Sequence, residues 1–140
     1  MGCVNCLEVF SKNVSVDANS SVPFNNTAIA KGGDVEQVGP STFQFNKCGL
    51  YKLELSANAI ADEVGLISLQ VVKNAVPQPN ALYSNSATTT EVTRNLAGST
   101  AIQVPNNNCG CPCVAPTTVE IQNVGVGATF DIDVIVTRIS

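Results

Sequence analysis

The stretch Tyr51-Lys52-Leu53-Glu54-Leu55-Ser56-Ala57-Asn58 alternates apolar and polar residues without a break. In an extended chain this puts Tyr51, Leu53, Leu55 and Ala57 on one face and the polar residues on the other, the pattern of a half-buried strand. The same period of two recurs at residues 66–72, 100–104, 118–122 and 129–138. Phe43 and Phe45, and a weaker pattern at 91–94, suggest two more strands, and shorter ones are expected at 7–10, 14–16 and 27–30. Between the runs stand turn formers: Lys47-Cys48-Gly49, Asp62-Glu63-Val64-Gly65, residues 74–79, 95–98 and 106–112, and Gly125-Val126-Gly127. Many short strands at fairly even spacing, with no helical segment between them, predict an all-β antiparallel sandwich or barrel.

At 140 residues the chain is long enough to bury its own core, so one domain is expected. Residues 1–21 read as an N-terminal arm, able to include a first strand, and 22–140 as the sandwich. Only 13% of residues are charged, against roughly a quarter in a typical soluble protein. The surface is therefore polar but weakly charged. Seven basic against eleven acidic residues leave a net charge of -4, with the basic ones scattered singly. A nucleic-acid footprint needs a basic patch, so no nucleic-acid partner is expected. No stretch approaches the ~18 apolar residues of a membrane span, and no membrane partner is expected. The N-terminus has neither the basic nor the apolar region of an export signal. Met1-Gly2-Cys3 would begin a myristoylation motif, but Cys6 stands where Ser or Thr belongs.

The last run differs from the others. Phe130, Ile132, Val134 and Val136 form one apolar face, while the opposite face begins with Asp131 and Asp133 and ends with Ile135 and Ile139. A strand apolar on both faces near its end is covered on both, by its own domain or by a neighbouring subunit.

The segment Phe43-Gln44-Phe45-Asn46-Lys47-Cys48-Gly49-Leu50-Tyr51-Lys52-Leu53 resembles the F-x-x-x-x-x-G-x-Y stretch of the tumour necrosis factor and complement globular-head superfamily. Ser68-Leu69-Gln70-Val71-Val72-Lys73-Asn74 is similar to that family's next strand and turn, and the final apolar strand ends almost at the C-terminus, as there. The resemblance implies a ten-stranded TNF-like jelly roll that assembles as a homotrimer. It places the central and last strands near the threefold axis, which would make Tyr51, Leu53, Leu55, Ile135 and Ile139 trimer contacts. Similar domains end the collagen-like proteins of bacterial spore surfaces and form the fibres or decorations of phage heads. This chain has no Gly-X-Y stem, so the expectation is a virion protein: a phage capsid decoration or head-fibre module whose partner is a capsid or surface-layer protein. A receptor- or glycan-binding adhesin of a bacterial or spore surface is the alternative.

Six cysteines occur as Cys3-x-x-Cys6, a lone Cys48 and Cys109-Gly110-Cys111-Pro112-Cys113. Successive strands of a jelly roll run in opposite directions, so alternate connections fall at opposite ends. Counted this way, the 106–116 loop shares an end with Cys48 and with the end of the last strand, while 62–65, 95–98 and 125–127 lie at the far end. The family's neighbouring termini would bring Cys3 and Cys6 to the cysteine end as well. Disulfides, a zinc site with thiolate ligands, and free or trimer-bridging thiols are all open to such a cluster. No other cofactor is indicated.

The sequence contains no histidine, which removes the commonest general base and every Ser-His or Cys-His pair. No enzymatic activity is expected. Asp131 and Asp133 would sit on one strand face roughly 7 Å apart, a spacing a two-carboxylate glycosidase uses, but no aromatic sugar platform accompanies them. They read as a solvated face or as charge near a trimer axis. Asp62 and Glu63 in a turn are a weak calcium signal, and Gly32-Gly33 lacks the spacing and Lys of a phosphate loop. Three Asn-x-Ser/Thr sequons, at Asn13, Asn19 and Asn25, are not expected to be modified without an export signal. Asp62, Glu63, Asn95 and Gly125 of the far-end loops are the candidates for contact with a host glycan or receptor.

Overall fold

The computed structural model describes residues 5–104 and 117–139. Among them are eleven strands: β1 (Cys6–Val16), β2 (Ser20–Ser21), β3 (Asn26–Lys31), β4 (Val35–Gln37), β5 (Phe43–Phe45), β6 (Gly49–Ala61), β7 (Gly65–Lys73), β8 (Val76–Ala87), β9 (Arg94–Val104), β10 (Thr117–Asn123) and β11 (Ala128–Arg138). They form two sheets, one of order β3-β1-β11-β6-β9 and one of order β4-β5-β10-β7-β8, with β2 beside β10. Every pairing is antiparallel. From β5 onward the chain changes sheets at every connection except the β7–β8 hairpin, the crossing pattern of a jelly roll.

The core lies between the sheets and is graded along its length. On β6 the buried residues run Tyr51, Leu53, Leu55, Ala57, Ala59, Ala61, so side-chain volume falls from one end to the other. The wide end holds the aromatics: Phe45 meets Tyr51 edge-on with centroids 4.7 Å apart, and Phe24 meets Phe43 at 5.4 Å. At the narrow end Ala61 and Ala128 are directly paired, and Phe130 faces in one step from them. Alternation of one inward apolar and one outward polar residue is strictest on β6, which is why its periodicity is so plain in the sequence.

Several expected boundaries are corrected. The runs at 7–10 and 14–16 are one strand, β1, interrupted by a register shift between Ser11 and Val14. Asn13 sits there with φ 54°, and its N–H donates to Asp131 Oδ1 at 2.8 Å, which satisfies the amide that the bulge unpairs. Within the expected arm, β1 lies between β3 and β11, the first strand that the arm was expected to be able to include, and position 21 ends β2. The expected turn at 74–79 is only the pair Asn74-Ala75, both at positive φ as a type I′ hairpin requires. Beyond it β8 runs through Pro77 and Pro79, tolerated because β8 is an edge strand. Of the expected strand at 91–94, residues 91–93 belong instead to the β8–β9 connection and Arg94 opens β9, and the expected turn at 95–98 is the interior of β9. Gly98 lies within the strand, and a glycine is needed there because the Tyr83 ring occupies the space a Cβ would take.

Candidate functional site

Inward and outward faces of the five-stranded sheet decide which residues a partner can touch. Tyr51, Leu53 and Leu55 are at most 3% exposed and point into the sandwich, so they cannot be subunit contacts as the sequence suggested. Their neighbours Lys52, Glu54, Ser56, Asn58 and Ile60 form the outer face of β6. Ile135 stays a candidate, half-buried on the outer face of β11, and Ile139 beyond the end of that strand is 56% exposed.

Strand register lays out this outer face. One row crosses Ile29, Glu8, Ile135, Glu54 and Ser99, and the next crosses Asn26, Phe10, Asp133, Ser56 and Ala97. Glu8, Phe10, Asp133 and Ile135 are all half-buried even in the single chain. Two shallow depressions flank Asp133: one of about 450 Å³, with Glu54, Ser56, Ala97, Ser99 and Ile135, and one of about 230 Å³, with Phe10, Lys12, Ser56, Asn58 and Asp131. Strand β9 contributes only Asn95, Ala97, Ser99, Ala101 and Gln103 outward, so one flank of the face carries mostly short side chains.

The two aspartates picked out by the sequence have different jobs. Asp131 caps the β1 bulge through Asn13 N–H. Asp133 is hydrogen-bonded to Glu8, and partial burial first, then that hydrogen bond and the charge of Glu8, push its carboxyl up to about 6. Glu8 and Phe10 were not singled out by the sequence, and the only signal was their place at alternate positions of a short, weakly patterned run.

At the wide end the chain is tied by Arg138. Its Nη1 donates to Asp34 Oδ2 at 2.7 Å and its Nη2 to Cys48 O at 2.9 Å, while its backbone N donates to Asn5 O at 3.0 Å. Cys6 pairs with Thr137, the residue before Arg138, and the carbonyl that accepts from the guanidinium is that of Cys48 in the β5–β6 turn. Cys6 is 1% exposed, Cys48 packs on the core, and neither is a free thiol. Val104, the last described residue of β9, pairs with Gly49, and Thr117, the first of β10, pairs with Phe45. The two strand ends that bound the 105–116 segment thus stand on either side of Cys48. Cys3, Cys109, Cys111 and Cys113 lie outside the described residues. Among the described residues no three Cys, Asp or Glu side chains converge as a metal site.

The four proposed ligand-contact residues do not converge. Asp62, Glu63 and Gly125 are at the narrow end, where Asp62 N–H donates to Gly127 O. A Cβ at Gly125 would strike the backbone of Leu66 and Ser68, so close packing explains that glycine. Asn95 is on the outer sheet face instead, its Nδ2 donating to Ala57 O at 3.3 Å and Asn58 Oδ1 at 3.1 Å. Tyr83 and Tyr51 both lie away from the narrow end, which therefore has no aromatic platform.

No protein-family model and no curated protein matches the chain. Solved structures do match over nearly its whole length. Eiger TNF from S. frugiperda shares 10% identity over 97% of this chain and 92% of its own, with a TM-score of 0.69. Murine APRIL at pH 5.0 shares 10% over 94% and 97%, with a TM-score of 0.68. PRD1 vertex protein P5 shares 15% over 100% of both chains, with a TM-score of 0.60. What these share with the chain is the fold, a TNF-like jelly roll, as the sequence motifs implied.

Proposed function

We propose that this protein is a self-assembling structural module of a virus particle, a trimer joined through the outer face of the five-stranded sheet. The observation that carries the virion reading is the end-to-end match to a phage vertex protein, with neither chain left over. The outer face supplies the means of assembly. It offers half-buried Phe10 and Ile135 toward one side and, across β6, the mostly short side chains of β9, with Ile135, Ala97 and Ser99 lining one shallow depression. Around a threefold axis each copy would cover the same kind of surface on the next.

The wide end is the part we assign to bracing and attachment. Disulfides between Cys6, Cys48 and the Cys109, Cys111 and Cys113 group would pin the 105–116 segment to the termini. In support, neither Cys6 nor Cys48 is a free thiol, and the strand ends bounding the segment sit beside Cys48. That observation favours disulfides over zinc. No residue set for a reaction enters this reading, because the carboxyls of the outer face serve the bulge and the Glu8 pair. A second reading, protein binding at the narrow end, is favoured by the exposed Val64, Val92 and Val124 in its turns. A glycan ligand has less to recommend it there, for want of an aromatic ring.

The virion reading is tested by fractionating lysates of the source culture on a density gradient and probing with antibody to the purified chain. Signal co-migrating with intact particles is expected. Signal confined to the soluble fractions of a particle-producing culture contradicts it.

A further inference from the structure

Glu8 and Asp133 meet at the centre of the outer face. Glu8 pairs with Ile135 and Phe10 with Asp133, so the two carboxyls are one diagonal step apart on adjoining strands, and their side chains are hydrogen-bonded. An ionised carboxylate only accepts hydrogen bonds, so this bond requires a proton held between the two groups. Apart from the exposed Lys12, the groups around the pair are acidic, uncharged or already paired. Asp131 is on the same strand, and Glu54 on β6 is already paired with Lys52 at 3.4 Å. Lys12 lines the depression beside Asp131 and Asp133, β9 presents only uncharged groups, and on β3 the one charge is Lys31, opposite Cys6 toward the wide end.

We propose that assembly through this face is strengthened by acid: copies of the chain close over the Glu8–Asp133 pair, and the proton the pair shares lets like-charged faces come together. The inference rests on the assembly reading above and adds its regulation. In a cyclic assembly every charge near the axis meets its own copies, so a doubly ionised pair is opposed by two more of the same sign. Removing the pair from water on closure adds to the cost of the second charge.

The direction follows from the carboxyl held at about 6 in the single chain. Closure raises that value further, so the assembled state binds more protons than the free chain, and association tightens as pH falls toward and through that range. Well below the range both states are protonated and the dependence levels off.

Sedimentation velocity on the purified chain at about pH 5 and about pH 8 reads the effect directly. The dissociation constant is expected to be about tenfold or more lower at the acid pH, since a proton-linked shift of one unit is about tenfold. Asp133→Asn, whose amide donates to Glu8 as the protonated acid would, is expected to associate tightly at both pH values. Glu8→Gln provides a second test with the partner group neutralised and is expected to lose the pH dependence likewise. Equal association of the unmodified chain at both pH values, or tighter association at the alkaline one, overturns the acid switch and leaves assembly standing. A chain that stays single at both overturns the assembly reading itself.

Discussion

Among single residues, Arg138 holds the most distant parts of the chain together. Its guanidinium joins Asp34 and the Cys48 carbonyl, while its backbone reaches Asn5. Asp34 is only 8% exposed, so removing the cation leaves a carboxylate buried without its partner. Arg138→Met is therefore expected to destabilise the fold by about 3 kcal/mol, measured by urea denaturation, with Asp34→Asn partly restoring it. A loss of a few tenths would show the pair to be ornamental. The pairing could not be read in the sequence, because Asp34 and Arg138 are 104 positions apart and nothing in either one's neighbours marks it. Asp133 was legible as an outward carboxylate, but Glu8 as its partner needed the β1–β11 register.

Among elements, strands with an unbroken run of inward apolar residues announced themselves and the edge strand β8 did not. Strand β6, with its strict alternation, and β11 were found because each fully buried residue is apolar, and β10 because its central Val119 and Ile121 are, between the buried polar Thr117 and Asn123 at its ends. Strand β8 was missed: it buries only Ala81 and Ala87 fully, carries two prolines, and reads as a turn-rich polar stretch. The short strand expected at 91–94 stood in for it, so the count of chain reversals stayed even and the 105–116 segment was still assigned to the end that holds Cys48. Two element errors cancelled in one topological argument. At that end the disulfide proposal makes its own prediction. Intact-mass spectrometry without reductant should show a mass lower by two hydrogens per bond, and reduction should cost about 2–4 kcal/mol of stability. Full alkylation of the six cysteines in the native, unreduced chain would refute the proposal.

For the whole molecule, the sandwich and its TNF-like topology were legible, since a few motif residues and even strand spacing sufficed. Which face meets a partner was not legible. Period two tells apolar from polar positions, and the residues first assigned to the threefold axis, Tyr51, Leu53 and Leu55, are the core itself. Only Ile135 and Ile139 of that set lie on the outside, and the outer face around Ile135 became the assembly candidate through burial and register. Ile135 sits between Glu8 and Glu54 in its row, so a third acid there would repel any copy brought against it. Native mass spectrometry of the unmodified chain beside Ile135→Glu, both at about pH 5 where the Glu8–Asp133 pair favours closure, is the most direct test. The account predicts three copies for the first and one for the second, with unchanged circular dichroism. Single chains in both samples, or trimers in both, would contradict it.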